Sequence, residues 1–101
     1  MKQLNQFTYS EAVKEGITIV DFWAEWCGPC RMMNPVLNEL EAEGEIKVHK
    51  VNVDQEPQLA GKHQIQSIPT ILVYKDGVEQ GEIVGAMPLA ELKKYINKLT
   101  S

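Results

Sequence analysis

Two cysteines are the residues of this chain whose type and spacing could do redox chemistry. Cys27 and Cys30 are its only cysteines, and Gly28 and Pro29 lie between them. At positions i and i+3 of a helix, Cβ atoms lie about 5–6 Å apart, which is close to the span that a disulfide bridges. The pair can therefore open and close with little movement of the backbone.

The two thiols are not equivalent, because a helix is predicted to begin at the motif. The nearly continuous apolar run from Ile17 to Trp23 predicts a buried strand, and a helical pattern follows the cysteines. Unpaired backbone N–H groups and the macrodipole stabilise a thiolate at a helix N-terminus. Cys27 is thus predicted to be the nucleophile, and Cys30, one turn inside the helix, the resolving thiol.

Two structural roles for the cysteines are disfavoured. A zinc site would need two more ligands, and the only candidates, His49 and His63, are separated by 13 residues instead of three to five. We therefore expect no metal, and both histidines are separately interpreted as solvated. A purely structural disulfide would close a very small ring, and it would remove little entropy from the unfolded chain.

The segment around the cysteines reads Val20-Asp21-Phe22-Trp23-Ala24-Glu25-Trp26-Cys27-Gly28-Pro29-Cys30-Arg31-Met32-Met33-Asn34-Pro35. From these residues the chain resembles the thioredoxin family, over essentially its whole length. The resemblance implies an α/β thioredoxin fold, a three-layer sandwich with a central mixed five-stranded sheet and four helices in the order βαβαβαββα. It also implies a protein disulfide reductase that has no cofactor and that an NADPH-dependent thioredoxin reductase, a flavoprotein, returns to the reduced state.

The hydrophobic pattern assigns the same order of elements to a single domain, residues 1–101. No linker, low-complexity tract or repeat divides the chain. In the first half, the pattern predicts a short edge strand at Leu4–Phe7, a brief helix opened by a capping box at Thr8–Glu11 and ended near Gly16, a strand at Ile17–Trp23, and a helix from the cysteines to near Gly44 that Pro35 kinks. In the second half, it predicts a strand at Ile46–Val53, a short helix from Pro57 to about His63, strands Thr70–Tyr74 and Val78–Val84 joined by an Asp76-Gly77 hairpin, and a last helix opened by Pro88.

Asp21 is a charged residue in a strand that is otherwise apolar. Strand alternation places it on the same face as Ile19, and burial there would raise its pKa toward the range that general base catalysis needs. The resemblance implies a buried Asp that exchanges a proton with the resolving cysteine, with Lys50 as its charge partner. An Asp at an exposed strand end and an ordinary solvent-facing lysine are the competing interpretations.

The resemblance also implies a flat apolar docking surface around Cys27. Pro69 would be cis beside the cysteines, and the backbone of Ile68 would pair with an extended substrate as a strand does. Gly85 would let a partner backbone approach closely, although a simple bend into the last helix explains this glycine as well. The residues assigned to this docking surface are Trp26, Gly28, Pro29, Ile68, Pro69, Gly85 and Ala86.

Composition limits the partners. The chain has 14 acidic and 10 Lys and Arg residues and a net charge of −4, so no cationic field would draw it to nucleic acid. No segment is apolar enough for a signal peptide or a bilayer span, and we expect a cytoplasmic monomer without a membrane partner.

Three functions fit the motif. The leading hypothesis is reduction of disulfides in protein substrates by Cys27 and Cys30. A thiol oxidant or isomerase on the same fold typically has His before the second cysteine, and Pro29 at that position argues for a reductant. A redox-linked binding subunit would use the same docking surface and would not need turnover.

Ser67 and Asn34 depart from the commoner family pattern and bear on partner choice, not on the reaction.

Overall fold

The structure, a computed structural model, describes residues 1–101. Five strands and four helices alternate in the predicted order βαβαβαββα. Their bounds are β1 Lys2–Gln3, α1 Tyr9–Ala12, β2 Ile17–Trp23, α2 Gly28–Ala42, β3 Lys47–Asn52, α3 Pro57–Lys62, β4 Thr70–Lys75, β5 Val78–Val84 and α4 Leu89–Thr100.

The strands form one mixed sheet in the order β1-β3-β2-β4-β5. The pairs β1 with β3 and β2 with β3 are parallel, whereas β4 is antiparallel to both β2 and β5. The strand that leads into the cysteines, β2, therefore lies at the centre of the sheet. A central strand is held by hydrogen bonds on both edges, so it gives the motif a rigid base.

Helices cover both faces of the sheet, as the fold class requires. Alternation along β2 sends Ile19 into the apolar layer under α2 and α4, where it packs with Met33, Leu37, Leu92 and others. It sends Phe22 into the opposite layer, under α1 and α3. The predicted three-layer α/β thioredoxin fold is thus confirmed.

Local chemistry explains why α2 begins where it does. Cys27 is the N-cap and has an extended backbone, and Pro29 stands in the first turn, where its missing N–H would have had no partner. The helix continues through Pro35, which the sequence predicted would not end it. In the β4–β5 hairpin, Asp76 and Gly77 both have positive φ, at 49° and 85°, which confirms the predicted Asp-Gly turn.

The N-terminal segment differs from the prediction. The first strand is Lys2–Gln3, not Leu4–Phe7, because the chain turns at Asn5, whose carbonyl oxygen accepts hydrogen bonds from the N–H groups of Thr8 and Tyr9. The capping box is also wrong. Thr8 makes no side-chain cap, and the Oδ1 atom of Asn5 accepts hydrogen bonds from the N–H groups of Phe7 and Thr8 instead. The helix then ends at Ala12, one turn before Gly16.

The two histidines are half-buried, not fully solvated as predicted. His63 stacks on Tyr9 with ring centroids 4.8 Å apart, and its Nε2 atom is buried without a hydrogen-bond partner. His49 is half-buried, and its Nδ1 atom has no partner either. Burial lowers the pKa of both imidazoles. Both side chains therefore belong to the packed structure of the protein.

None of the helices is both long enough and apolar enough to cross a bilayer.

Candidate active site

The cysteines form a disulfide at the N-terminus of α2. Their Cα atoms are 5.3 Å apart, and the backbone N–H of Cys30 donates a hydrogen bond to Cys27 Sγ over 3.2 Å. A free backbone N–H at a helix start stabilises negative charge on that sulfur. Of the two residues, Cys27 is the more accessible, with 5% exposed against 1% for Cys30. This geometry agrees with Cys27 as the nucleophile and Cys30 as the resolving thiol.

Asp21 is fully buried, with 0% of its surface exposed. Its register partners are Lys50 on β3 and Ile71 on β4, and neither carboxylate oxygen has a hydrogen-bond partner. Burial raises the pKa of Asp21 to about 7, since loss of water outweighs the opposing charge of Lys50. The alternative of an Asp at an exposed strand end is therefore wrong, and the carboxyl can hold or release a proton near neutral pH.

Lys50 is buried beside Asp21, so the alternative of a solvent-facing lysine is also wrong. The two side chains nevertheless form no ion pair within 4 Å. The ammonium donates a hydrogen bond to Asn34 Oδ1 and lies 4.4 Å from the centre of the Trp23 ring. Burial lowers the pKa of Lys50, and the charge of Asp21 acts in the opposite direction.

Residues predicted to form the docking surface lie on three loops near Cys27. Trp26 is 70% exposed, and its indole N–H donates a hydrogen bond to Asp54 Oδ2 over 2.9 Å. The Ile68-Pro69 peptide is cis, as predicted, and the carbonyl oxygen of Ile68 lies 3.8 Å from Cys27 Sγ. The carbonyl of Ile68 thus lies beside the Cys27 sulfur, and the exposed Trp26 precedes Cys27 in the chain.

Gly85 connects the last strand to this surface. Its N–H donates a hydrogen bond to the carbonyl oxygen of Pro69 over 2.9 Å, and its φ of +99° is one that residues with a side chain rarely adopt. No atom lies within 4 Å of the position that a Cβ would occupy. The open space agrees with close approach of a partner backbone, and the neighbouring Ala86 is exposed.

An apolar cleft of about 350 Å³ lies next to these residues and is lined by both Trp26 and Ile68. Five of its seven lining residues are hydrophobic. The lining residues are Trp26, Val53, Ala60, Ile65, Gln66, Ser67 and Ile68.

The sequence interpretation missed two residues that form hydrogen bonds with predicted site residues. Asn34 was noted only as a departure from the family pattern, although it lies one helical turn after Cys30 and binds Lys50. Asp54, which holds the Trp26 indole, was not singled out. A signal for Asp54 did exist, because it follows β3 and the carboxyl ends of the parallel strands β2 and β3 meet at one edge of the sheet.

The fold and the site together define a class of protein. The cysteine pair forms a disulfide at a helix N-terminus, and the central strand before it carries a buried carboxyl. These features are typical of a thiol-disulfide oxidoreductase.

Comparison with known proteins identifies the family. The family model Thioredoxin matches residues 1–98. The thioredoxin of Listeria monocytogenes is 44% identical over 100 residues, which cover 97% of both chains. The thioredoxin of Staphylococcus aureus strain Mu50 is 44% identical over 92 residues, covering 89% of this chain and 88% of its own.

The chain belongs to the thioredoxin family. It is a thiol-disulfide oxidoreductase that functions as a protein disulfide reductase through Cys27 and Cys30. Proteins of this family act on disulfide substrates and are returned to the reduced state by a thioredoxin reductase.

Proposed function

We propose that the reduction runs in two exchange steps with Cys27 as nucleophile, Cys30 as resolving thiol and Asp21 as the group that takes the proton of Cys30. The observation that carries this proposal is the position of Cys27. It is the N-cap of α2, it is the more accessible cysteine, and its sulfur already accepts a hydrogen bond from the N–H of Cys30.

In the first step, the Cys27 thiolate attacks one sulfur of the substrate disulfide. A bond forms between Cys27 Sγ and that sulfur, and the other substrate sulfur leaves as a thiolate. In the second step, Cys30 gives its proton to Asp21 and attacks Cys27 Sγ. The second substrate sulfur leaves, the substrate gains two electrons, and the Cys27–Cys30 disulfide forms.

The docking surface presents the substrate to Cys27. Trp26 is a large exposed aromatic held in place by Asp54, which is the type of residue that anchors protein interfaces. The backbone of Ile68 beside Cys27 Sγ would pair with an extended substrate segment. Around them Gly28 and Pro29 on α2, and Pro69, Gly85 and Ala86 on the facing loops, complete an apolar rim.

We further propose that an NADPH-dependent thioredoxin reductase supplies the electrons, and that the chain works as a single domain and as a monomer in the cytoplasm. One continuous sheet with helices on both faces supports the single domain. The net charge of −4 supports partners other than nucleic acid and anionic membrane surfaces.

A thiol oxidant would run the same steps in reverse, so the direction of the exchange can be tested against it. Pro29 donates no hydrogen bond to the Cys27 sulfur, so it does not stabilise the dithiol form as a His would. Equilibration with glutathione tests this directly. A potential near the thioredoxin value of about −270 mV supports the reductant, and one near −120 mV supports the oxidant.

Single cysteine variants test the order of the two steps. Cys27→Ser should abolish reduction of a protein disulfide, whereas Cys30→Ser should attack once and stop as a mixed disulfide on Cys27. Intact-mass and peptide mass spectrometry after mixing with a disulfide substrate identify the adduct. An adduct that accumulates on Cys30 in the Cys27→Ser protein would reverse the assigned roles.

The double variant Cys27→Ser with Cys30→Ser is the control for a binding subunit. If the function of the protein is disulfide reduction by the two cysteines, this variant should have no biological activity. A biological activity that survives in the double variant would favour a role as a redox-linked binding subunit.

A further inference from the structure

Asn34 makes a contact that the reaction as described does not use. It lies four residues after Cys30 on α2, so the two side chains are neighbours on the helix surface. Its side-chain oxygen accepts a hydrogen bond from Lys50 Nζ, across 16 residues of sequence. The second partner of this ammonium is the ring of Trp23, 4.4 Å from Nζ to the centroid. Both partners of the buried cation are therefore neutral.

The negatively charged neighbour of Lys50 has no such contact. Asp21 pairs with Lys50 in the strand register, but both of its oxygens lack a hydrogen bond and no ion pair forms within 4 Å. In a medium of low dielectric a carboxylate is a stronger partner for an ammonium than an amide oxygen is. An unrestrained Lys50 would thus turn toward Asp21.

We propose that Asn34 is a positioning residue for the resolving step, because its amide oxygen holds the Lys50 ammonium away from Asp21 and leaves that carboxyl free to exchange a proton with Cys30. The proposal rests on the assigned role of Asp21. A carboxylate in a tight ion pair is a weak base, since the pair favours its charged form. Asn34 acts through Lys50 and Asp21, and does not itself touch a reacting sulfur.

Few charged groups other than Lys50 can alter the titration of Asp21. Lys50, from β3, is the only charged group whose field shifts the titration of Asp21, and Asp21 is the only one that shifts Lys50. The two cysteines at the start of α2 do not titrate while the disulfide is formed. In the oxidised protein, a change in the Asp21 titration thus reports on Lys50.

The test is a double-mutant cycle on the oxidised protein, followed by carbon-13 NMR of the Asp21 carboxyl against pH. Asn34→Ala should lower the Asp21 midpoint by about 1 unit, as expected for an opposite charge that moves closer. Alanine favours the helix more than asparagine, so this variant should fold. In the Lys50→Met background, which has no ammonium, Asn34→Ala should leave the midpoint unchanged.

Two results would overturn the restraint by Asn34. One is a midpoint that stays or rises in Asn34→Ala. The other is an equal shift with and without Lys50, which would mean that the effect of Asn34 does not pass through the ammonium. A merely structural role for Asn34 would change the stability of the protein but not this titration.

A kinetic measurement separates this proposal from the role of Asp21 on which it rests. In single-turnover reactions, the pH profile of the resolving step should move to lower pH in Asn34→Ala by the same amount as the NMR midpoint, with KM for the substrate unchanged. A shifted titration with an unshifted rate profile would overturn Asp21 as the base, and with it any part of Asn34 in the reaction. An unshifted titration would overturn only the restraint.

Discussion

At the scale of single residues, the proposed mechanism depends on one unpaired acid. Asp21 is buried in β2, the strand that leads into the cysteines, and neither of its oxygens has a hydrogen bond; its pKa of about 7 keeps both protonation states populated near neutral pH. The ordinary pKa of an Asp, 3.8, would make it a much weaker base. Burial, which is unfavourable for the charge, is therefore what suits this carboxyl to proton exchange with a thiol.

Replacing Asp21 by Asn should slow the resolving step by about 100-fold at pH 7, the lower range for the loss of a general base. The wild-type rate should rise with pH as Asp21 loses its proton near pH 7. The variant rate should rise only above about pH 8.5, the ordinary pKa of a thiol, because Cys30 is buried. Rapid mixing with a preformed mixed disulfide on Cys27 measures the step at each pH.

Glu25→Gln is the matched control, because it makes the same chemical change at an exposed position close to the motif. Its rate profile should follow the wild type. An Asp21→Asn profile that also follows the wild type would remove Asp21 from the mechanism.

At the scale of elements, the β5 strand must fit closely under α4. Gly81 in β5 has a φ of +151°, and a Cβ built there would lie 2.8 Å from Cδ2 of Leu99 on α4. The register shifts between Val73 and Tyr74 on the neighbouring strand, opposite this glycine. The backbone conformation therefore disfavours a side chain at this position, and a Cβ would also force the end of the Leu99 side chain to shift.

Gly81→Ala should lower the free energy of unfolding by about 1–3 kcal/mol, through backbone strain and overpacking. Gly61→Ala is the opposite case, because Gly61 lies in α3 with no atom within 4 Å of its Cβ position. It should raise the free energy of unfolding by about 0.5–1 kcal/mol through helix propensity. Urea unfolding midpoints of the oxidised proteins measure both, and changes of the same sign would contradict this account.

At the scale of the whole molecule, the buried acid makes stability depend on pH. The pKa of Asp21 is about 7 in the folded protein against 3.8 for an ordinary Asp, so the unfolded chain loses this proton first. Below about pH 4 the group is protonated in both states and has no effect. Between pH 4 and 7 the free energy of unfolding falls, and above pH 7 the loss stays constant at about 4 kcal/mol.

Asp21→Asn should therefore stabilise the oxidised protein by roughly 2–4 kcal/mol at pH 8 and have little effect at pH 4. Urea unfolding at the two pH values measures the difference. Glu45→Gln, at an exposed position, should change stability little at either pH. A gain in Asp21→Asn that is equal at pH 4 and pH 8 would show that the removed carboxylate charge is not its cause.

The sequence by itself determined which face of its own helix or strand a side chain occupies. Alternation along Ile17–Trp23 put Asp21 on the α2 face, and the spacing of Cys27 and Cys30 predicted the disulfide span, because periods of 2 and 3.6 residues decide which face a residue occupies. Element order and the Asp-Gly hairpin followed from equally local signals. The residues of the docking surface were predicted from the family resemblance.

Only the tertiary structure decided which side chains from different elements meet. The ammonium of Lys50 could have paired with Asp21, its register neighbour, but the packing of α2 on the sheet brings Asn34 to it. Trp26 finds Asp54 across 28 residues, and His63 stacks on Tyr9 instead of facing water. Such contacts depend on the distance and angle between packed elements, and no periodicity within a single element carries that information.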